Sequence, residues 1–359
     1  MKAAVSFLYC VLLVVPTMLG LGSAAYDANP GQTDGDKLVV LDIAQMARLQ
    51  QRAEVGDPEA QFILGSAYRD GGRVLPQNQA EAVKWFRKAA DQGFAKAENA
   101  LGEMYLHGRD IHQDYSEAVR WFTKAAEHGS AVAAGNLGYL YYTGRGVPRN
   151  YADAFAWFSK AAHHGILAAQ YDLALMYRRG KGVRQNCGEA SKLLRTAAEK
   201  GLAESQNALG MMYLRGEGVP RSAGEALRWF QAAAQQGNAD AQNNLGYLYY
   251  TGDGTKRDYA EAFRWLTAAA DTGHPGAVAT LGDMYQTGRG VPLDYVEAYK
   301  WVNLAEAQGH QTASNARRRI ASIMTKQQLN SAESLISEWR RQHLSQSVRM
   351  RSLVQSPPP

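Results

Sequence analysis

Cysteine is nearly absent: Cys10 and Cys187 are the only two in 359 residues. A disulfide scaffold and a cysteine-built zinc centre are both excluded. Proline is sparse at 11, and the 35 glycines follow no Gly-X-Y period, so collagen is excluded too. The body of the chain also lacks a surplus of one charge. The formal net charge is +5, yet residues 311–359 hold eight Arg or Lys against two acids, Glu333 and Glu338. The basic balance therefore belongs to the C-terminal segment and marks no basic surface along the rest. With 46% hydrophobic and 20% charged residues, the chain is too apolar to be mainly disordered.

Long apolar runs are missing except at the start. Lys2 precedes an apolar run from Ala3 to Val15, followed by Pro16 and the small residues Gly20 to Ala25. Charge, apolar core and small-residue site is the order of a secretory signal, so residues 1–24 read as a signal peptide cut after Ala24 or Ala25. A retained membrane anchor is the rival reading, opposed by Pro16 and the small residues. The mature protein is expected to be periplasmic or secreted, monomeric, and without stable membrane insertion.

What is present is periodicity. Trp recurs at 85, 121, 157, 229, 265 and 301, with Leu193 in the vacant slot. Leu-Gly pairs stand at 64, 101, 137, 209, 245 and 281, Leu173-Ala174 fills the remaining place, and a Tyr follows each Leu by four. Seven units of 36 residues result. Each reads as two helices. In the first, Leu137 and Tyr141 share one face, and Gly138 removes a side chain where another helix must approach closely. Gly144 ends it, and a Gly-x-Gly-Val-Pro loop follows. The second helix opens on capping-box spacing, as in Asn78/Glu81, Asp114/Glu117 and Asp294/Glu297. Its Trp-Phe pair, Ala-Ala and terminal Gly suit close packing. One unit cannot bury its Trp and Tyr alone, so units must stack, with Trp121 and Trp265 buried between neighbours.

The ends read as caps. Residues 37–56 form a lone amphipathic capping helix, 57–309 the seven repeats, 310–344 C-terminal capping helices with Thr325/Gln328 as another capping box, and 345–359 a disordered tail.

The consensus Leu-Gly-x-x-Tyr-x-x-Gly-x-Gly-Val-x-x-Asp-Tyr-x-Glu-Ala-x-x-Trp-Phe-x-x-Ala-Ala resembles the Sel-one-like repeat (SLR) family, a relative of the tetratricopeptide repeat. The resemblance covers about 57–309. It implies an all-α fold: a right-handed α/α superhelix (solenoid) of helix-turn-helix repeats with helical caps, whose concave groove is lined by first helices. It also implies an adaptor or scaffold role, which exported bacterial members play in envelope signalling, exopolysaccharide control and host contact. Departures fall in the fourth unit, with Leu193 for Trp, Ala174 for Gly and Cys187 for Tyr, and in the second, with Asp110 for the loop Gly.

Nothing in the chain carries catalysis. A β-lactamase-like or cell-wall-acting enzyme, the alternative that some cysteine-rich relatives suggest, would need Ser-x-x-Lys, which is absent. His-Glu-x-x-His is absent, and the Gly-x-Gly pieces follow helices and lack a third glycine, so no dinucleotide loop is implied. The repeated acids are helix caps. His128 and His163-His164 precede helix-ending glycines, where a cation is favourable. No metal or cofactor is expected. Cys187 fills a tyrosine slot as a packing residue, and Arg317 to Arg319 read as a solvated face. Export argues against nucleic acid.

The binding face follows from helix geometry. With Leu137 at 0° and about 100° per residue, Tyr141 lies near 40° on the packed side, Tyr139 near 200° and Tyr142 near 140°. Positions two before, two after and five after each Leu then point into the groove: Asn99, Tyr139, Tyr142, Tyr171, Arg178, Asn207, Met211, Asn243, Tyr247 and Tyr250, with Glu103 and Asp283 nearer the ends. The nonapeptide Asn-Leu-Gly-Tyr-Leu-Tyr-Tyr-Thr-Gly recurs at 136–144 and 244–252, giving two tyrosine clusters in one expected groove. Tyrosine offers contact area, little entropy to lose and a polar tip, which suits a protein or peptide partner, or a glycan. The alternative is that these tyrosines only pack against adjacent first helices.

Overall fold

The computed structural model describes residues Ile43 to Gln355, apart from 73, 109–110 and 311–312, and side chains as far as Gln342. The expected signal peptide, residues 37–42 of the N-terminal cap and the last four residues lie outside the described residues. All regular elements among the described residues are helices. After α1 (Ile43–Glu54) come seven antiparallel pairs: α2 (Pro58–Asp70) with α3 (Gln79–Ala90), α4 (Ala95–His107) with α5 (Tyr115–Glu127), α6 (Ala131–Thr143) with α7 (Tyr151–His163), and α8 (Leu167–Arg179) with α9 (Cys187–Glu199). The series continues with α10 (Ala203–Arg215) and α11 (Ala223–Gln235), α12 (Ala239–Thr251) and α13 (Tyr259–Ala270), and α14 (Pro275–Thr287) and α15 (Tyr295–Ala307). Then α16 (Ala313–Ala321) and α17 (Lys326–Gln355) follow. Each helix from α1 to α15 packs on its successor within a compact unit, and α16 and α17 both pack on α15; the N-terminal unit ends at Leu202 and the C-terminal unit begins at Ala203.

The motif residues explain the pairs. A methyl group placed on Gly138 would sit 2.5 Å from the Phe158 ring, and one on Gly102 would sit 2.6 Å from Phe122. The glycine of Leu-Gly is therefore the seat for the second aromatic of Trp-Phe on the partner helix. In the fourth pair both halves change together, with Ala174 at the glycine place and Leu194 at the Phe place. Phe86, Phe122, Phe158 and Phe230 are fully buried, and full burial of such a ring is worth about 1.5–3 kcal/mol. The preceding indole is more variable. Trp121 is 2% exposed, but Trp157 and Trp265 are only half-buried, which corrects the expectation of a buried Trp265. Its Nε1 donates to Glu261 at 3.1 Å and Arg264 lies over its ring, so this indole is half surface.

The caps form as the sequence dictates. Asn78, Asp114, Asn150, Asn186, Ser222, Asp258 and Asp294 each accept from a backbone N–H in the first turn of the following second helix. Such a cap contributes about 1 kcal/mol. The paired acids do not reach back, however. Glu81, Glu117, Glu189, Glu225, Glu261 and Glu297 pair instead with the Lys or Arg three residues on. Thr325 and Gln328 alone among these show both reciprocal bonds.

The loops join successive pairs. Gly144 ends α6 in the left-handed region, φ 76°, and returns its N–H to Leu140. Gly182 of the next loop, φ 71°, lies so close to the first residue of α7 that a methyl group there would meet the Tyr151 carbonyl at 2.1 Å. The second glycine of Gly-x-Gly is thus a joint on the previous repeat. At the C-terminal end, α17 continues through Gln355, so helix replaces the disorder expected over 345–355. Its interior contains no Gly or Pro, and the first proline after it is Pro357.

Candidate functional face of the first helices

Neighbouring first helices touch, α4 with α6 in the N-terminal unit and α12 with α14 in the C-terminal unit. This contact decides which expected face residues remain open. In the N-terminal unit Asn99, Tyr139, Tyr142 and Arg178 are half-buried, and Tyr171 is buried. In the C-terminal unit Tyr247 and Asp283 are half-buried, whereas Asn207, Met211, Asn243 and Tyr250 are buried. Tyr171, Asn207, Met211, Asn243 and Tyr250 are therefore corrected: packed helices cover them, and the wheel of a single helix could not register that cover. Asn207 is spent inside the protein, its Oδ1 accepting from the Asn244 amide at 3.0 Å. The corresponding residues in the N-terminal unit behave otherwise. Asn99 donates to Glu103 at 2.6 Å, and both amide atoms of fully buried Asn136 lack a partner.

The two copies of the nonapeptide each build a clasp. In the N-terminal unit the Tyr142 ring, at the end of α6, lies 5.0 Å from that of Tyr151, which opens α7. Lys181, from the Gly-x-Gly loop of the next repeat, donates to the Tyr142 hydroxyl at 3.1 Å and lies over both rings. The hydrogen bond from Lys181 to Tyr142 raises the ammonium's pKa above the ordinary lysine value. In the C-terminal unit the same places, 108 residues on, hold Tyr250, Tyr259 and Arg289. The rings are 5.5 Å apart, and Arg289 donates to the Tyr250 hydroxyl at 2.7 Å. Here Asp283 joins, accepting a short hydrogen bond from Tyr250 and lying 3.8 Å from Arg289. Burial, and then the bond to Asp283, push Tyr250 far above the ordinary tyrosine range. Lys181, Arg289, Tyr151 and Tyr259 were not among the residues the helix wheel selected. Their signal was the variable residue between the loop glycines and the tyrosine that opens each second helix.

Elsewhere the polar groups mostly serve structure. His128 pairs with buried Glu98 at 2.7 Å, and Gln92 and Gln236 bond Gln61 and Gln206 from the corresponding place, each tying a helix end to the first helix of its own pair. His163 and His164 stack edge to face. Cys187 is half-buried at the start of α9. Arg317, expected on a solvated face, pairs with Glu306. Among the described residues no group of three or more His, Cys, Asp or Glu could hold a metal ion, and no helix is long and apolar enough to cross a membrane.

Comparison with known proteins agrees with this geometry. The Sel1 repeat model matches seven times, at residues 58–94, 95–130, 131–166, 167–202, 203–238, 239–274 and 277–310. A solved Sel1 repeat protein from Oxalobacter formigenes is 36% identical, with a TM-score of 0.58, covering 63% of this chain and 90% of that one. A protective antigen of uropathogenic Escherichia coli strains, described as displaying an SLR fold, is 28% identical with a TM-score of 0.53, covering 87% of this chain and 83% of that one. Among curated proteins, an ERAD-associated E3 ubiquitin-protein ligase component of Arabidopsis thaliana is 35% identical over 60 residues, 17% of this chain and 9% of that protein. An F-box protein of the same plant is 37% identical over 60 residues, 16% of its length. This chain thus spans a small part of those curated relatives. A helix pair stands in register with every matched segment, and the chain belongs to the Sel1 repeat family.

Proposed function

We propose that the chain is a non-enzymatic scaffold that captures a segment of a partner protein on the exposed part of its first-helix face. Sel1 repeat solenoids are in general protein-interaction scaffolds. The observation that carries the reading here is half-buried Tyr139 and Tyr142 in the N-terminal unit, flanked by the loop cations Arg145 and Lys181, with half-buried Tyr247 in the C-terminal unit. Half-buried tyrosine presents a rigid apolar ring and a polar tip to a ligand. The signal-like segment at 1–24 supports a periplasmic or secreted location. Likeness to a protein described as a protective antigen supports a role at the envelope or in host contact.

The test is capture of partners from the organism's own cell envelope by purified mature protein and by a Tyr139→Ala/Tyr247→Ala double variant. Loss of a specific partner with unchanged circular dichroism supports the face. Unchanged capture removes it. Intact mass of the exported protein tests location separately: the expected mature N-terminus is Ala25 or Tyr26, and a mass that includes residues 1–24 overturns the signal-peptide reading.

A further inference from the structure

The two clasps are the same device in different states of occupancy. Both have a tyrosine ending a first helix, a tyrosine opening the second, and a cation supplied by the next loop. Arg149 lies 5.7 Å from the Tyr151 ring as Arg257 lies 5.9 Å from the Tyr259 ring. Besides the cation, Lys181 against Arg289, one residue separates the copies. Asp283 stands where the N-terminal unit has Leu175, 108 residues earlier. In the C-terminal clasp the Tyr250 hydroxyl accepts from Arg289 and donates a hydrogen bond to Asp283, and the ring is buried. In the N-terminal clasp the Tyr142 hydroxyl accepts from Lys181, a group that can only donate. The Tyr142 proton has no acceptor among the described residues, and the ring remains half open to solvent.

The cations tell the same story. At the variable loop position of the C-terminal unit every charge is paired inside the protein: Glu217 with Arg215, Asp253 with Arg221, Arg289 with Asp283. In the N-terminal unit Arg145 and Lys181 rest on tyrosine rings, Arg145 on Tyr115 and Tyr139, with no carboxylate in ion-pair range among the described residues. A cation held on a ring face keeps its charge available to a second partner.

We infer that the Tyr142–Lys181 clasp binds a carboxylate supplied by the partner polypeptide, taking the place that Asp283 fills internally in the other copy. Tyr142 donates to one carboxylate oxygen, Lys181 pairs with the group, and Arg145 on the preceding loop receives a second acid of the same segment. The partner segment is acidic. This rests on the scaffold reading above and names the chemistry of its ligand.

The experiment measures fluorescence polarisation of three labelled probes on the full mature chain. They are an N-acetylated, C-amidated decaglutamate, the matching decaglutamine, and a neutral peptide with a free C-terminus. The decaglutamate is expected to bind and the decaglutamine not to. Binding of the neutral peptide would show that a main-chain carboxylate serves as well as a side chain. Tyr142→Phe keeps the ring and removes the donor; it and Lys181→Gln should each weaken binding about tenfold, the loss expected for one charge-assisted hydrogen bond. Raising the salt to about 1 M should weaken it further. Both sites are half-exposed, and circular dichroism checks that the variants fold. Unaltered decaglutamate binding by both variants overturns the proposal, as does an absence of decaglutamate binding to the unaltered chain. A natural partner lost with Tyr139→Ala/Tyr247→Ala but indifferent to Lys181→Gln would leave the scaffold reading standing and remove the clasp.

Discussion

Residues 136–144 and 244–252 are identical in sequence, yet their side chains meet different fates. Asn244 is hydrogen-bonded and Tyr250 is buried in a saturated network; Asn136 is buried without a partner and Tyr142 keeps a spare donor. Neighbouring repeats make the difference. Glu103 draws the Asn99 amide to itself, and at the same place one block later stands Met211, so the Asn207 oxygen serves Asn244 instead. Leu175 offers no acceptor where Asp283 offers one. A repeat's chemistry is therefore set by its neighbours even where its own sequence is unchanged.

Phe122→Ala tests the shared frame that makes this comparison valid. The ring is fully buried against the Gly102 seat, so the loss should be about 3–5 kcal/mol in denaturant unfolding. Trp265→Ala should cost clearly less, because that indole is half surface. An equal loss for the two would mean that the indole carries the stacking as much as the phenyl does.

The saturated clasp comes next. Asp283→Asn weakens the acceptor for Tyr250 and strands Arg289, and should cost roughly 1.5–3 kcal/mol of the C-terminal unit's stability. Lys181→Gln, at the open clasp, should leave thermal unfolding nearly unchanged. If both destabilise alike, the clasps are not in different states.

The asparagines sharpen the contrast by sign. Asn244→Ala breaks a buried bond and should cost about 1 kcal/mol, whereas Asn136→Ala removes an unsatisfied amide and should be near neutral or stabilising. Chemical denaturation of the two single variants checks this.

The smallest effect is at the C-terminal cap. Burial holds His310 below the ordinary histidine pKa, so the folded state favours the neutral ring. Its contribution is fully present above the unfolded value near 6.5 and is lost as pH falls through the folded value. Replacement by Asn should flatten the stability profile on the acid side of 6.5, read by melting from pH 7.5 to pH 5. A steeper acid loss in the variant would contradict the assignment.

Much of the fold was legible because spacing alone carries it. Leu137, Gly138, Trp157 and Phe158 recur at one interval, and each residue type has one mechanical task. The caps were legible for the same reason, except that Glu81 and its counterparts prefer a cation three residues on. The binding face was only partly legible. A single-helix wheel assigns Tyr139 and Tyr171 to the same outward sector, yet one is half open and the other is covered by packed helices. Lys181 and Arg289 were hidden because they act on a tyrosine of the preceding repeat, a relation that no periodicity within one repeat displays.

The glycine joint has a consequence for how such chains change over generations. A loop docks on the preceding repeat through backbone, Gly182 against the Tyr151 carbonyl and Gly290 against Tyr259, and asks nothing of the residue between its glycines. A block of repeats can be copied or exchanged without redesigning the joint, and a cation carried in that slot reaches a tyrosine of the preceding repeat, as Arg145, Lys181 and Arg289 do. Arg145, Lys181, Glu217, Asp253 and Arg289 occupy that slot in successive repeats. Mutation can rewrite recognition there one letter at a time while the architecture stays untouched.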